Sequence, residues 1–462
     1  MSIQDPLYPT RSGAAAIQVR GLGLRWPSLG SVAAQIGLAG VVAITLLFSV
    51  AAAHTSALLP QTIRPVPAGL AGVFAGTSVT LGAAGLLGAL GLMLVCYVAA
   101  VARAQYLSPR VLITAVIALH VLVLLAPPLF STDMFSYQAY GRMGALYGLN
   151  PYVLGPHAMA ADPTYGLIGW RWVGMPTVYG PVFTALSYVL APLSIATAAF
   201  AYKGIAALAS LLCLLLVWRI ARVRGLDPRP ALALTGLNPL VVLYGVGGGH
   251  NDLLMMLPVL AGIYLVLTQR ERSGAALMIT SAAIKVTGGL PLAFALASGG
   301  RLQRDRRRRL LMGASAAVAI FAGLAVAMFG LGWLRLPTTF REVQSHGAWD
   351  SFVGVAVKGL GLRAIETQIA FGLGLVSAAA TAWLLRQVWR GRMNWLAGSG
   401  WAAVALLCCA TSLLPWYLVW VLPLAGVAGD RRLWRVSLIL TFAIVALHGV
   451  DFLPSSSLPR SP

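Results

Sequence analysis

Apolar residues in this chain run on for about twenty positions at a time and stop at short breaks that carry Pro, Gly or Arg. Helices of that length cross roughly 30 Å of hydrocarbon. In lipid every backbone polar group needs a partner within its own segment, so the pattern predicts an all-α polytopic membrane protein. The first run, about 32–53, reads as a retained helix: the region before it is too long, and its apolar core too extended, for an ordinary signal peptide, despite the triplet Ala51-Ala52-Ala53. Further runs at 70–102, 111–130, 197–221, 231–249, 252–269, 274–287, 288–299, 310–333, 367–390, 396–413, 415–428 and 433–452 predict about thirteen transmembrane helices, several of them short or broken.

Composition removes the soluble alternatives. Of 462 residues, 59% are hydrophobic and 10% charged, and the mean hydropathy is +0.82, outside what water-soluble packing tolerates. The net charge of +21 would suit a nucleic-acid binder, but the 33 basic residues lie between the apolar runs and so set topology. With the amino terminus cytoplasmic, the inner face collects Arg11, Arg20, Arg25, Arg103, Arg110, the arginines at 219–229, Arg270, Arg272, those at 301–309, then Arg386, Arg390, Arg392, Arg431, Arg432 and Arg435. Fewer fall outside. The run Arg304 to Arg309 is expected to anchor the inner face on anionic lipid.

This orientation predicts a cytoplasmic tail at 1–31, one membrane catalytic domain at 32–453 and an outer tail at 454–462. Two large outer loops are expected, about 131–180 and 335–366. Keeping Arg272 and the arginines from 301 on one side needs an even number of crossings between them, hence two half-length helices with a turn near Lys285-Val286-Thr287-Gly288-Gly289. The four cysteines lie in apolar stretches without metal spacing. There is no Walker loop or GxGxxG turn to bind a cytosolic nucleotide donor.

Candidate chemistry is confined to a few polar positions, because the membrane penalises charge and only 12 residues are acidic. Asp133 follows directly after an apolar run, at the predicted outer face, and Tyr137, Tyr140 and Gly141 continue in helical spacing that suggests a helix lying along the interface. Asp133 is either a functional acid or the N-cap of that helix. Gly247-Gly248-Gly249-His250-Asn251-Asp252 joins two runs at the same face. The glycines admit backbone close to a ligand, although Asp252 also suits a helix first turn. Lys285 stands alone among Ala, Ile, Thr, Val and Gly, and either snorkels to the interface or meets a phosphate. Asn150-Pro151-Tyr152, Tyr179-Gly180-Pro181 and Pro415-Trp416-Tyr417 read locally as turns and interfacial anchors. One carboxylate and one cation at a membrane face suit transfer of a sugar whose leaving group is a lipid phosphate. That group needs a cation more than a proton donor, and direct displacement inverts the anomeric carbon.

Taken in order, Thr132-Asp133, Ser136-Tyr137, Gly141, Asn150-Pro151-Tyr152, Tyr179-Gly180-Pro181, Gly248-Gly249-His250-Asn251-Asp252, Ala283-Ile284-Lys285 and Pro415-Trp416-Tyr417 resemble a known family. It is that of the polyprenyl-phosphate-mannose-dependent α-1,6-mannosyltransferases, integral-membrane glycosyltransferases of the GT-C type. The resemblance implies Asp133 as catalytic base and Lys285 as the donor-phosphate contact. It also implies a substrate pocket lined by Tyr137, Asn150, Tyr152, Tyr179, His250, Asn251, Asp252, Trp416 and Tyr417. No cofactor or strict metal requirement is implied. The expected partners are a polyprenyl-phosphate-linked sugar, a mannan or lipoglycan acceptor and the bilayer, with the site on the outer face of the bacterial inner membrane. Another lipid-linked sugar, such as glucose or arabinose, or transport of a lipid or solute, stays open as an alternative.

Overall fold

The computed structural model describes residues 29–299, 303–345 and 350–449. The expected tails at 1–31 and 454–462 lie, apart from residues 29–31, outside these. Every regular element among the described residues is helical. In chain order they are α1 Leu29–Ala51, α2 Ala83–Ala102, α3 Pro109–Leu125, α4 Asp133–Tyr147, α5 Pro181–Leu190, α6 Ile195–Val223, α7 Pro228–Gly236, α8 Asn251–Leu267, α9 Glu271–Ile284, α10 Leu290–Ala297, α11 Arg304–Phe329, α12 Leu336–Ser345, α13 Phe352–Gly359, α14 Glu366–Trp389, α15 Trp395–Cys408, α16 Leu422–Ala428 and α17 Arg431–Gly449. Local chemistry sets several starts. Ser108, Ser194 and Asn394 accept backbone N–H bonds as N-caps of α3, α6 and α15, and Pro109 and Pro181 occupy first turns that need no N–H donor.

Six described helices are long and apolar enough to cross a membrane, seven if a bent pair is taken as one span. The protein is therefore a polytopic membrane protein. Leu92 and Val95 on α2, Ile117 and Val121 on α3, Val318 and Leu324 on α11, and Phe371 and Leu375 on α14 are exposed, an apolar belt that hydrocarbon covers and water would not. The core lies between these helices: α9 packs along both α8 and α11, α6 along α8, and α1 along α2.

Several predicted runs take another form. The helix of run 70–102 begins only at Ala83, because the first part forms short turns behind Gly72, whose φ is +71°. Run 231–249 is divided into α7 and a π-helical stretch, Leu240–Val246, which meets α8 at a 115° bend. Runs 274–287 and 288–299 form the two short helices α9 and α10, separated by the turn Val286–Gly289. The helix expected to lie along the interface is α4, and the structure corrects its setting: Met134 through Gly141 are all buried, packed against α5 and α6. Its polar residues are spread around the axis: Tyr140 and Arg142 bond to neighbouring segments, and Ser136 and Gln138 are buried within the bundle. The arginine run also does internal work. Arg309 bonds Glu271 on α9, and the Arg307 guanidinium lies 4.4 Å from the Trp389 ring on α14.

Candidate functional site

The acid is the first residue of α4, and the segment before that helix sets its place. Residues 126–132 turn back sharply: Leu129 N–H donates to the Gly247 carbonyl, and Phe130, at a φ of +61°, stacks on Tyr244. This delivers Asp133 beside the Gly247-Gly249 bend. Thr132 occupies the cap position and the Asp133 carboxylate makes no bond to the backbone of its own helix, so the N-cap reading is set aside. Its side chain is 20% exposed, and its Oδ2 stands 3.4 Å from Nδ1 of His250. The His250 ring is fully buried and lies face to face on Trp416, with centroids 3.5 Å apart and planes 16° from parallel. Neither ring nitrogen has a hydrogen-bond partner. Gly249 makes the placement possible: its φ of +66° turns the chain from the π-helical stretch into α8, a conformation that costs other residues about 1–2 kcal/mol.

The cation comes from the break after α9. Lys285 is extended, with φ −152° and ψ 127°, and its ammonium donates to both carboxylate oxygens of Asp252 at 2.7 and 3.0 Å. The indole N–H of Trp420 donates to the same carboxylate at 2.7 Å. Tyr417 and Trp420 stack 4.5 Å apart, and the ammonium lies 4.7 and 5.4 Å from their rings, within cation–π range. Asp252 is 1% exposed and Lys285 16%. Its first-turn position is thus incidental to its side chain's role, and the anionic partner that a membrane lysine needs is Asp252. Snorkelling does not describe it.

An aromatic wall joins the two halves. Tyr137 meets Tyr179 and Phe183 edge-on at 5.0 and 4.9 Å. Burial first, and then the charge of Asp133 and more weakly that of Asp252, push the Tyr179 phenol well above its ordinary range. One ring therefore senses both acids. The turn carrying Tyr179 docks through Gly180, whose N–H bonds the Ile284 carbonyl at 2.9 Å. A Cβ there would lie 2.2 Å from the Ala283 carbonyl oxygen.

Of the eleven residues singled out from sequence, Asp133, Tyr137, Tyr179, His250, Asp252, Lys285, Trp416 and Tyr417 converge in this way. Asn251 opens α8 beside them, buried, with neither its amide nitrogen nor its oxygen partnered. Asn150 and Tyr152 are engaged elsewhere. Asn150 donates to the Phe329 carbonyl at the end of α11, and the Tyr152 hydroxyl bonds the Tyr179 carbonyl, so both tether the loop between α4 and α5 behind the wall. Sequence reasoning missed one participant and one loop anchor. Trp420 continues the 416–417 pair at helical spacing, a signal that was there to be read. Asp162 was not readable: its carboxylate gathers Arg142, Tyr147 and Thr164. Burial would raise this carboxyl, but those donors, Arg142 foremost, hold it down at about 2. Among the described residues no group of three or more His, Cys, Asp or Glu side chains could hold a metal ion.

Comparison with known proteins places the chain. A family model described as "Alpha-(1->6)-mannopyranosyltransferase, N-terminal domain" matches residues 34–299, and one described as "MptB C-terminal domain" matches 346–455. Alpha-(1->6)-mannopyranosyltransferase A of Mycobacterium tuberculosis is 30% identical over 67% of this chain and 64% of its own length. Alpha-(1->6)-mannopyranosyltransferase B of Corynebacterium glutamicum is 27% identical over 69% of this chain and 58% of its own. The chain thus spans less than two thirds of the length of these relatives. No solved structure matches. On the match across 34–299, more than half of its length, the chain belongs to the alpha-(1->6)-mannopyranosyltransferase family.

Proposed function

We propose that the chain is a GT-C-type glycosyltransferase that moves mannose from a polyprenyl phosphate to a hydroxyl of a mannan or lipoglycan acceptor, forming α-1,6 linkages with inversion. Asp133 takes the acceptor proton as that oxygen attacks the anomeric carbon. The bond from that carbon to the phosphate oxygen breaks, and its electron pair leaves with the lipid phosphate, which Lys285 receives. No nucleotide sugar enters. The site faces outward on the inner membrane, within about thirteen crossings if the short helices pair to span it.

One observation carries the assignment of the base. Of the two acids at the site, Asp252 is buried and occupied by Lys285 and Trp420, whereas the Asp133 carboxylate is part-exposed and faces an imidazole whose ring nitrogens have no hydrogen-bond partner. A base must reach its proton, and Asp133 alone has a free path. Purified protein in lipid, given polyprenyl-phosphomannose and an oligomannoside, should release polyprenyl phosphate in step with mannose incorporation. A panel of lipid-linked glucose, arabinose and mannose fixes the donor. Failure with every lipid-linked sugar would overturn the reading.

A further inference from the structure

The second acid has no part in the proton transfer, yet it is the most completely enclosed charge of the site. Its environment tells what it does. Both oxygens of Asp252 face the Lys285 ammonium, Oδ1 also receives the Trp420 indole N–H, and the rings of Tyr417 and Trp420 close over the ammonium. A cation compensated this closely attracts an arriving anion only weakly, because in a low-dielectric site the counter-ion's field cancels most of its own. The transfer changes the charge of what Lys285 meets: the donor is a phosphodiester with one negative charge, and the lipid product is a monoester carrying about 1.5 to 2 at pH 7. An uncompensated lysine would hold the product harder than the donor and stall turnover.

We infer that Asp252 is the counter-ion that tempers Lys285, positioned by the Trp420 indole, so that the lipid phosphate product is released after sugar transfer. This rests on the reading that Lys285 receives the donor phosphate. Asp252 and Trp420 act through Lys285 and are positioning residues. The two substitutions act in opposite directions. Asp252→Asn removes the compensating charge and strengthens phosphate binding. Trp420→Phe removes a donor that spreads the Asp252 charge, tightens the ion pair and weakens phosphate binding. If the trio served only to hold the fold, both changes would loosen the site alike.

The experiment uses full-length protein in lipid nanodiscs and a short-chain polyprenyl monophosphate as probe, with binding measured at equilibrium beside steady-state transfer. Asp252→Asn is expected to bind the monophosphate about tenfold more tightly, with donor KM and kcat both lowered and stronger product inhibition. Trp420→Phe is expected to bind it more weakly, and Asp252→Glu, which keeps the charge, to stay near wild type. Weaker binding in Asp252→Asn, or the same direction of change in Asp252→Asn and Trp420→Phe, overturns the counter-ion role while leaving the donor reading intact. Unchanged monophosphate binding in Lys285→Met overturns the donor reading itself, and the counter-ion role with it.

Discussion

His250 Nδ1 and Asp133 Oδ2 stand 3.4 Å apart, bringing a residue from the bend before α8 against one from the start of α4. The contact is longer than a hydrogen bond, and neither imidazole nitrogen is engaged elsewhere. A carboxylate held beside an imidazole but not locked to it keeps lone pairs open, which is what the proposed base requires. Asp133→Asn keeps the shape and removes the basicity. Transfer should fall by about 100-fold or more, with protein level and donor binding little changed; retained transfer would remove Asp133 as the base.

His250 contributes in two separable ways, as a flat plate on Trp416 and as a nitrogen facing Asp133. His250→Phe preserves the plate and deletes the nitrogen, so kcat should drop about tenfold with melting temperature near wild type. His250→Ala should lower both, because it also opens a cavity. If His250→Phe transfers sugar at the wild-type rate, the nitrogen has no role.

Asn251 is buried with both amide atoms unpartnered, and a buried orphan polar group costs about 1–3 kcal/mol. That cost persists at a functional site when substrate supplies the missing partners. Asn251→Leu, close in volume, should leave the melting temperature of the ligand-free protein unchanged or raise it while activity collapses. A clear loss of thermal stability instead would make Asn251 a structural residue.

Asp162 anchors the loop between α4 and α5 through Arg142, Tyr147 and Thr164, and burial opposed by those donors leaves its carboxyl held down at about 2, below the ordinary carboxylate value of about 3.9. A depressed acid stabilises the fold above its unfolded pKa, and the contribution fades as pH falls through the folded value. The melting temperature of Asp162→Asn should therefore lie well below wild type from pH 5 upward, with the gap closing toward pH 2. A gap independent of pH would contradict the anchor.

The hydrophobic pattern conveyed the class of fold because spans are local properties of the chain. Even the break at Lys285 followed from requiring Arg272 and the arginines from 301 to share a side. What local pattern misses is any partner far along the chain. Asp252 and Lys285 lie 33 residues apart, and Trp420 lies 168 beyond Asp252, so Lys285 reads as an isolated cation, Asp252 as a helix first-turn acid, and Trp420 draws no notice. Local pattern likewise reads Asn150 and Tyr152 as a turn, and their bonds to the Phe329 carbonyl at the end of α11 and to the Tyr179 carbonyl lie beyond its reach. The setting of α4 is hidden differently: polar side chains such as Ser136 and Gln138 are buried alongside apolar ones, so no amphipathic stripe marks which way it faces.

Gly180 rests its backbone directly on Ala283 and Ile284, one residue before the lysine. Whatever displaces the end of α9 carries Tyr179 along with it. The aromatic wall and the ammonium are thus coupled through one backbone contact, so that the two sides of the site shift together or not at all.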